Sequence, residues 1–182
     1  MVEASAALEG RQAKLWGAAD ALTAIRLPLA AAFILVPEPR WRFAILALAA
    51  ASDLLDGTVA RRFGASRLGA FLDPVADKLF MAAAFWVVLV SGRLEPYEVG
   101  AVLLRDIVAA GAFVATLRGG RPSSIPARAG GKAVTLAQNL TLLAFVTGSD
   151  LLRPMAWATA GIAAYAIWDY IQARETRRRV GA

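Results

Sequence analysis

Apolar residues in this chain fall into six long runs separated by short polar connections. The runs cover approximately 18–36, 43–62, 68–90, 98–117, 133–149 and 154–172. Each is close to the roughly 20 residues that an α-helix needs to cross a bilayer core. The connections VPEPRWR, SGRLEPYE, LRGGRPSSIPARAGGK and GSDLLRP carry the Pro and Gly that end helices. The pattern predicts an all-α integral membrane protein with six transmembrane helices over residues 18–174. Residues 1–17 mix small apolar residues with Glu3, Glu9, Arg11 and Lys14 and carry Trp16 near their end. That mixture predicts a short N-terminal interfacial helix, because it lacks the basic start and unbroken apolar core of a cleavable signal. Residues 175–182 form a basic tail expected in the cytoplasm.

The polar residues that interrupt the runs carry the chemistry. Asp53 and Asp56 stand three apart, and Asp73 and Asp77 four apart, in otherwise apolar sequence. At about 100° per residue these spacings return to nearly the same helix face, so each pair forms a two-carboxylate stripe. A short basic turn between them lets the two helices run antiparallel and face each other. Four carboxylates buried at one point repel unless cations join them. Hard oxygen ligands without sulfur or imidazole select Mg²⁺ or Mn²⁺. The pattern is not a calcium-binding EF-hand, whose loop needs alternating acidic residues and a distal Glu.

Composition narrows the chemistry further. The chain has 182 residues, 58% of them hydrophobic, and a mean hydropathy of +0.54, which points to the membrane class. The absence of cysteine excludes disulfides and thiolate metal ligands, and the absence of histidine excludes a Ser-His-Asp triad or a phosphohistidine. Acid–base work therefore falls to carboxylates, Lys or Tyr. A net charge of +6 raises nucleic acid as a partner, but the basic residues flank apolar runs. That placement suits anionic lipid headgroups instead.

With the N-terminus inside, thirteen Lys and Arg lie on the cytoplasmic face and four on the other. The positive-inside bias predicts both termini and the 61–67 turn in the cytoplasm. Charges within the runs are costly and mark function by default. Besides the four aspartates these are Asp20, Arg26, Lys78, Arg105, Asp106 and Asp169. Asp20 and Asp169 lie near span ends, where solvation suffices. Lys78 can neutralise a carboxylate, and Arg26 can reach inward to a phosphate or outward to the interface.

The stretch from Asp53 to Asp77, DLLDGTVARRFGASRLGAFLDPVAD, resembles the CDP-alcohol phosphotransferases. That family's signature, D-x2-D-G-x2-A-R followed by G-x3-D-x3-D, is filled by Asp53, Asp56, Gly57, Ala60, Arg61, Gly69, Asp73 and Asp77. The sequences ALTAIRLP, GAFLDPVADK and GKAVTLAQ are similar to the bacterial phosphatidylglycerophosphate synthase branch. The resemblance covers roughly residues 20–139. It implies CDP-diacylglycerol as donor, CMP as leaving group, and two Mg²⁺ or Mn²⁺ ions held by Asp53, Asp56, Asp73 and Asp77. It also implies Asp77 as general base, cytidine diphosphate contacts from Asp56, Gly57, Ala60, Arg61 and Gly69, and a homodimer. The expected location is a bacterial-type inner membrane, with the site facing the cytoplasm.

The acceptor has two readings. Arg105, Arg118, Arg128 and Lys132 form a basic group at the cytoplasmic ends of the fourth and fifth runs, joined on the first by Arg26. Such a group suits a phosphate-bearing alcohol, and the branch resemblance makes it glycerol 3-phosphate. The branch commonly has Arg-Glu where this chain has Arg105-Asp106, and a further Arg where it has Phe113. Arg-Asp resembles the CMP-forming cardiolipin synthases, whose acceptor is phosphatidylglycerol. An alternative from another class is a cation-transporting membrane protein, which would need no nucleotide and release no CMP.

Overall fold

The computed structural model describes residues 24–63, 69–118 and 129–180. Among the described residues the chain forms six helices and no strand: α1 Arg26–Leu35, α2 Pro39–Phe63, α3 Gly69–Val90, α4 Pro96–Arg118, α5 Ala129–Val146 and α6 Leu152–Val180. Their order matches the six expected runs. The expected interfacial helix over 1–17 lies outside the described residues, and α6 continues through Val180 into the segment read as a tail.

Local signals account for the breaks. Val36 turns extended after α1, and α2 then opens on Pro39. Proline suits a first helical position because its missing N–H would be unpaired there anyway. The α4 helix opens the same way on Pro96, where the Glu98 carboxylate accepts the Glu95 backbone N–H at 2.9 Å. That reciprocal contact satisfies a donor that the helix start leaves unpaired. Helix α5 ends at Val146, and two residues on Gly148 takes a φ of 69° that only glycine adopts freely; its N–H reaches the Phe145 carbonyl, and the Ser149 N–H reaches that of Ala144. Gly92, with φ 68°, follows α3 in the same left-handed conformation.

Helix α6 packs most extensively on α5 and α4, and α1 packs on α3 and α2. Helix α5 also touches α2 and α3, which joins the two groups into one bundle. Phe33 and Phe80 meet edge to face at 5.9 Å, and Phe85, Val88, Val102 and Leu142 are wholly buried in the same core.

Around this apolar core, several polar groups are buried and many large apolar side chains face outward. Arg26, Ser52, Glu98, Asp106, Gln138, Thr141 and Thr159 are buried, while Leu35, Trp41, Trp86, Val90, Leu136 and Trp168 are exposed. Among the described residues, however, no helix is long and apolar enough to cross a membrane, so the six transmembrane helices expected over residues 18–174 are found as six helices but not as membrane spans. Helix α1 has ten residues. The longer helices carry polar groups well inside their length, such as Asp53 and Asp56 in α2 or Arg105 and Asp106 in α4. Those groups lower the hydropathy of the windows that contain them.

Candidate active site

The site is built from α1 inward. Arg26 is only 3% exposed, donates from Nε to Ser52 Oγ at 3.2 Å, and sets Nη2 3.2 Å from Asp53 Oδ1. Ser52 in turn donates to the Ala49 carbonyl at 2.8 Å, leaving its oxygen lone pairs to accept from Arg26. A buried guanidinium needs such partners, because an unpaired charge in a low-dielectric interior is strongly disfavoured. The Asp53 side chain remains 54% exposed, so Arg26 covers one side of it and leaves the rest open.

Asp77, on α3, stands in the field of Lys78, Asp53, Arg26 and Asp106. Lys78 follows Asp77 in sequence but points elsewhere, since consecutive helical residues diverge by about 100°. Its ammonium pairs with Asp106 of α4.

Asp106 is the junction of three helices. Besides Lys78 it accepts a 2.6 Å hydrogen bond from Gln138 Nε2 of α5, and Arg105 Nη1 lies 3.7 Å away. Gln138 is fully buried and its Nε2 also reaches the Val102 carbonyl at 3.2 Å. Ser52 and Gln138 were not among the residues expected from sequence. The available signal was a hydroxyl and an amide inside apolar runs, which is weaker than a charge.

Arg105 faces a second region. It lines a cleft of about 60 Å³ between α4, α5 and α6, together with Gly130, Gly131, Ala166, Asp169 and Tyr170. A Cβ at Gly131 would stand 2.5 Å from Arg105 Nη2, so glycine is what lets the guanidinium approach α5. Lys132 follows immediately and is exposed.

Of the other expected residues, Asp56, Gly57, Ala60 and Arg61 lie in α2, Gly69 and Asp73 in α3, and Arg118 closes α4. Their side chains, and the whole of Arg128, lie outside what the structure describes. Among the described residues no three acidic side chains come together to hold a metal. The donors that are described, Asp53 and Asp77, are hard oxygens from two helices, a set that fits Mg²⁺ or Mn²⁺.

The chain belongs to the CDP-alcohol phosphatidyltransferase family, whose model matches residues 16–168. It is 35% identical over 175 residues to the Escherichia coli K12 CDP-diacylglycerol–glycerol-3-phosphate 3-phosphatidyltransferase, covering 83% of this chain and 89% of that protein. It is 31% identical over 166 residues to a probable phosphatidylglycerophosphate synthase of Mycobacterium tuberculosis, covering 86% and 77%. It is 35% identical over 133 residues to a probable CMP-forming cardiolipin synthase of Drosophila melanogaster, covering 70% of this chain and 39% of that one. Membership in a transferase family displaces the cation-transporter alternative.

Proposed function

We propose that the protein is a membrane enzyme that transfers a phosphatidyl group from CDP-diacylglycerol to glycerol 3-phosphate and releases CMP. The observation that carries this reading is the charge arrangement: Arg26 meets the Asp53 carboxylate of α2, while Asp106 of α4 holds the ammonium of Lys78, the neighbour of Asp77, and is flanked by Arg105. The kinship with transferases named for that donor and acceptor supports it.

Membrane residence is supported by the large apolar and aromatic side chains exposed on the bundle's exterior. We place both termini and the 61–67 turn on the cytoplasmic side of a bacterial-type inner membrane. Single cysteines can be introduced without background in this cysteine-free chain. Variants at Ser66 and Ser124 are expected to resist an impermeant thiol reagent in intact cells, while those at Ser91 and Ser149 react. The reverse pattern overturns the orientation.

In the proposed reaction, Asp53, Asp56, Asp73 and Asp77 hold two Mg²⁺ or Mn²⁺ ions. When bound, these neutralise the diphosphate and the charge that develops on CMP. Gly57, Ala60 and Gly69 leave room for the cytidine diphosphate, which Asp56 and Arg61 contact. The acceptor hydroxyl oxygen attacks the phosphatidyl phosphorus, the anhydride P–O bond breaks, and CMP leaves with the bridging oxygen. Asp77 takes the hydroxyl proton. Arg105, Arg118, Arg128 and Lys132 orient the acceptor phosphate, and Arg26 holds Asp53 from behind. The enzyme works as a homodimer.

Phosphatidylglycerol as acceptor, giving cardiolipin, is the second reading. It is favoured by the Arg105-Asp106 pair, because Asp106 draws on the charge of Arg105 and leaves less for a dianionic acceptor. Purified protein with CDP-diacylglycerol, Mg²⁺ and each acceptor in turn decides between them. CMP release with glycerol 3-phosphate is expected. Release with phosphatidylglycerol alone establishes the second reading, and release with no alcohol acceptor overturns both.

A further inference from the structure

Asp106 and Gln138 are tied together more tightly than helix packing requires. Both are buried, and the amide spends its two donors on Asp106 Oδ2 at 2.6 Å and the Val102 carbonyl at 3.2 Å. Its own oxygen, Oε1, is buried with no hydrogen-bond partner. An unpaired buried acceptor is disfavoured, and a leucine would fill similar space without it. What the amide accomplishes is to fix the Asp106 carboxylate, whose other oxygen meets the Lys78 ammonium.

Lys78 is adjacent to Asp77 in the chain, and its charge is felt by the Asp77 carboxylate. The lysine stem is long and flexible, and its ammonium is a compact point charge. Released from Asp106, it can swing to the carboxylates beside it and occupy the oxygens that a cation needs. We propose that Asp106, oriented by Gln138, is a positioning residue that holds the Lys78 ammonium on the α4 side and so keeps the Asp77 carboxylate open to a divalent cation. This rests on the metal-dependent reading of the site. It adds that metal affinity depends on a carboxylate outside the four-aspartate signature.

The test is Mn²⁺ binding to purified, substrate-free protein, with the thermal unfolding midpoint recorded to establish folding. Asp106→Asn is expected to weaken Mn²⁺ binding about tenfold or more, in the range typical for groups that support metal ligands. Adding Lys78→Met to that variant is expected to bring affinity back to within about threefold of the parent, because the competing ammonium is gone. Gln138→Leu is expected to weaken binding about threefold and to be rescued in the same way; it carries the test if Asp106→Asn does not fold. A purely architectural role for Asp106 predicts no rescue by Lys78→Met. Unchanged Mn²⁺ affinity in Asp106→Asn, or loss without rescue, overturns the inference while leaving the metal site standing. Failure of the parent protein to bind Mn²⁺ removes the metal reading itself, and the inference with it.

Discussion

Helix α4 carries two buried carboxylates eight residues apart, one in its first turn at the end of the bundle and one near mid-helix beside the open site, and they serve in different ways. Glu98 is satisfied by partners that hold the end together: Arg153 Nε at 3.0 Å, Trp157 Nε1 at 3.1 Å and the Glu95 backbone N–H. Beside it Arg93 donates to the carbonyls of Phe145 and Ser149, joining the two connections at that end. Asp106 is also partnered, but by groups next to an open site, with Asp53 half exposed beyond them. Burying a carboxylate is costly in either place. In the first the return is a fixed architecture, and in the second it is an arrangement of charges around a place for a ligand. Similar burial thus does not imply a similar role; the difference lies in what the partners leave open.

The contrast can be broken most severely at the open site. Asp77→Asn is expected to reduce transfer by about 10³-fold or more, since it removes both a metal ligand and the general base. Asp53→Ala is expected to abolish Mg²⁺-dependent CDP-diacylglycerol binding as well. Turnover and donor binding, each with and without Mg²⁺, check both; an Asp77→Asn protein of near-normal rate removes the base assignment.

A smaller effect is expected where the acceptor is bound. Arg105→Gln or Lys132→Gln is expected to raise the KM for glycerol 3-phosphate about tenfold, with donor KM changing less than about twofold. Initial rates across acceptor concentration separate this from a general loss of structure. An equal rise in both KM values would show that these cations do not discriminate acceptor from donor.

At the stapled end the expected change is in stability. Glu98→Ala removes the partner of Arg153 and Trp157 and the contact to Glu95, at a cost of about 1–3 kcal/mol. Its unfolding midpoint in detergent is expected to fall while kcat stays within about twofold of the parent. A large loss of kcat at unchanged stability would erase the distinction between the two carboxylates. Smallest of all is Thr141→Val, which removes the 2.9 Å hydrogen bond to Thr159 between α5 and α6. Thermal unfolding is expected to register about 0.6 kcal/mol, the usual size of such bonds within membrane helices.

Much of this was determined by the sequence alone, because it depends on neighbours in the chain. Pro39, Pro96, Gly92 and Gly148 mark helix ends through backbone geometry that each residue carries with it. The three- and four-residue spacings of the aspartates needed only the period of the α-helix, and the eight signature residues identified the family before any contact was known. Where each cation goes was decided by the tertiary structure. Arg26 meets Ser52 and Asp53, Lys78 meets Asp106, and Gln138 meets Asp106, each across more than twenty residues of chain. Such pairings depend on how each helix is rotated against its neighbours, and that rotation is set by packing of the whole bundle. Sequence placed Lys78 beside Asp77, whereas the fold turned its ammonium toward α4.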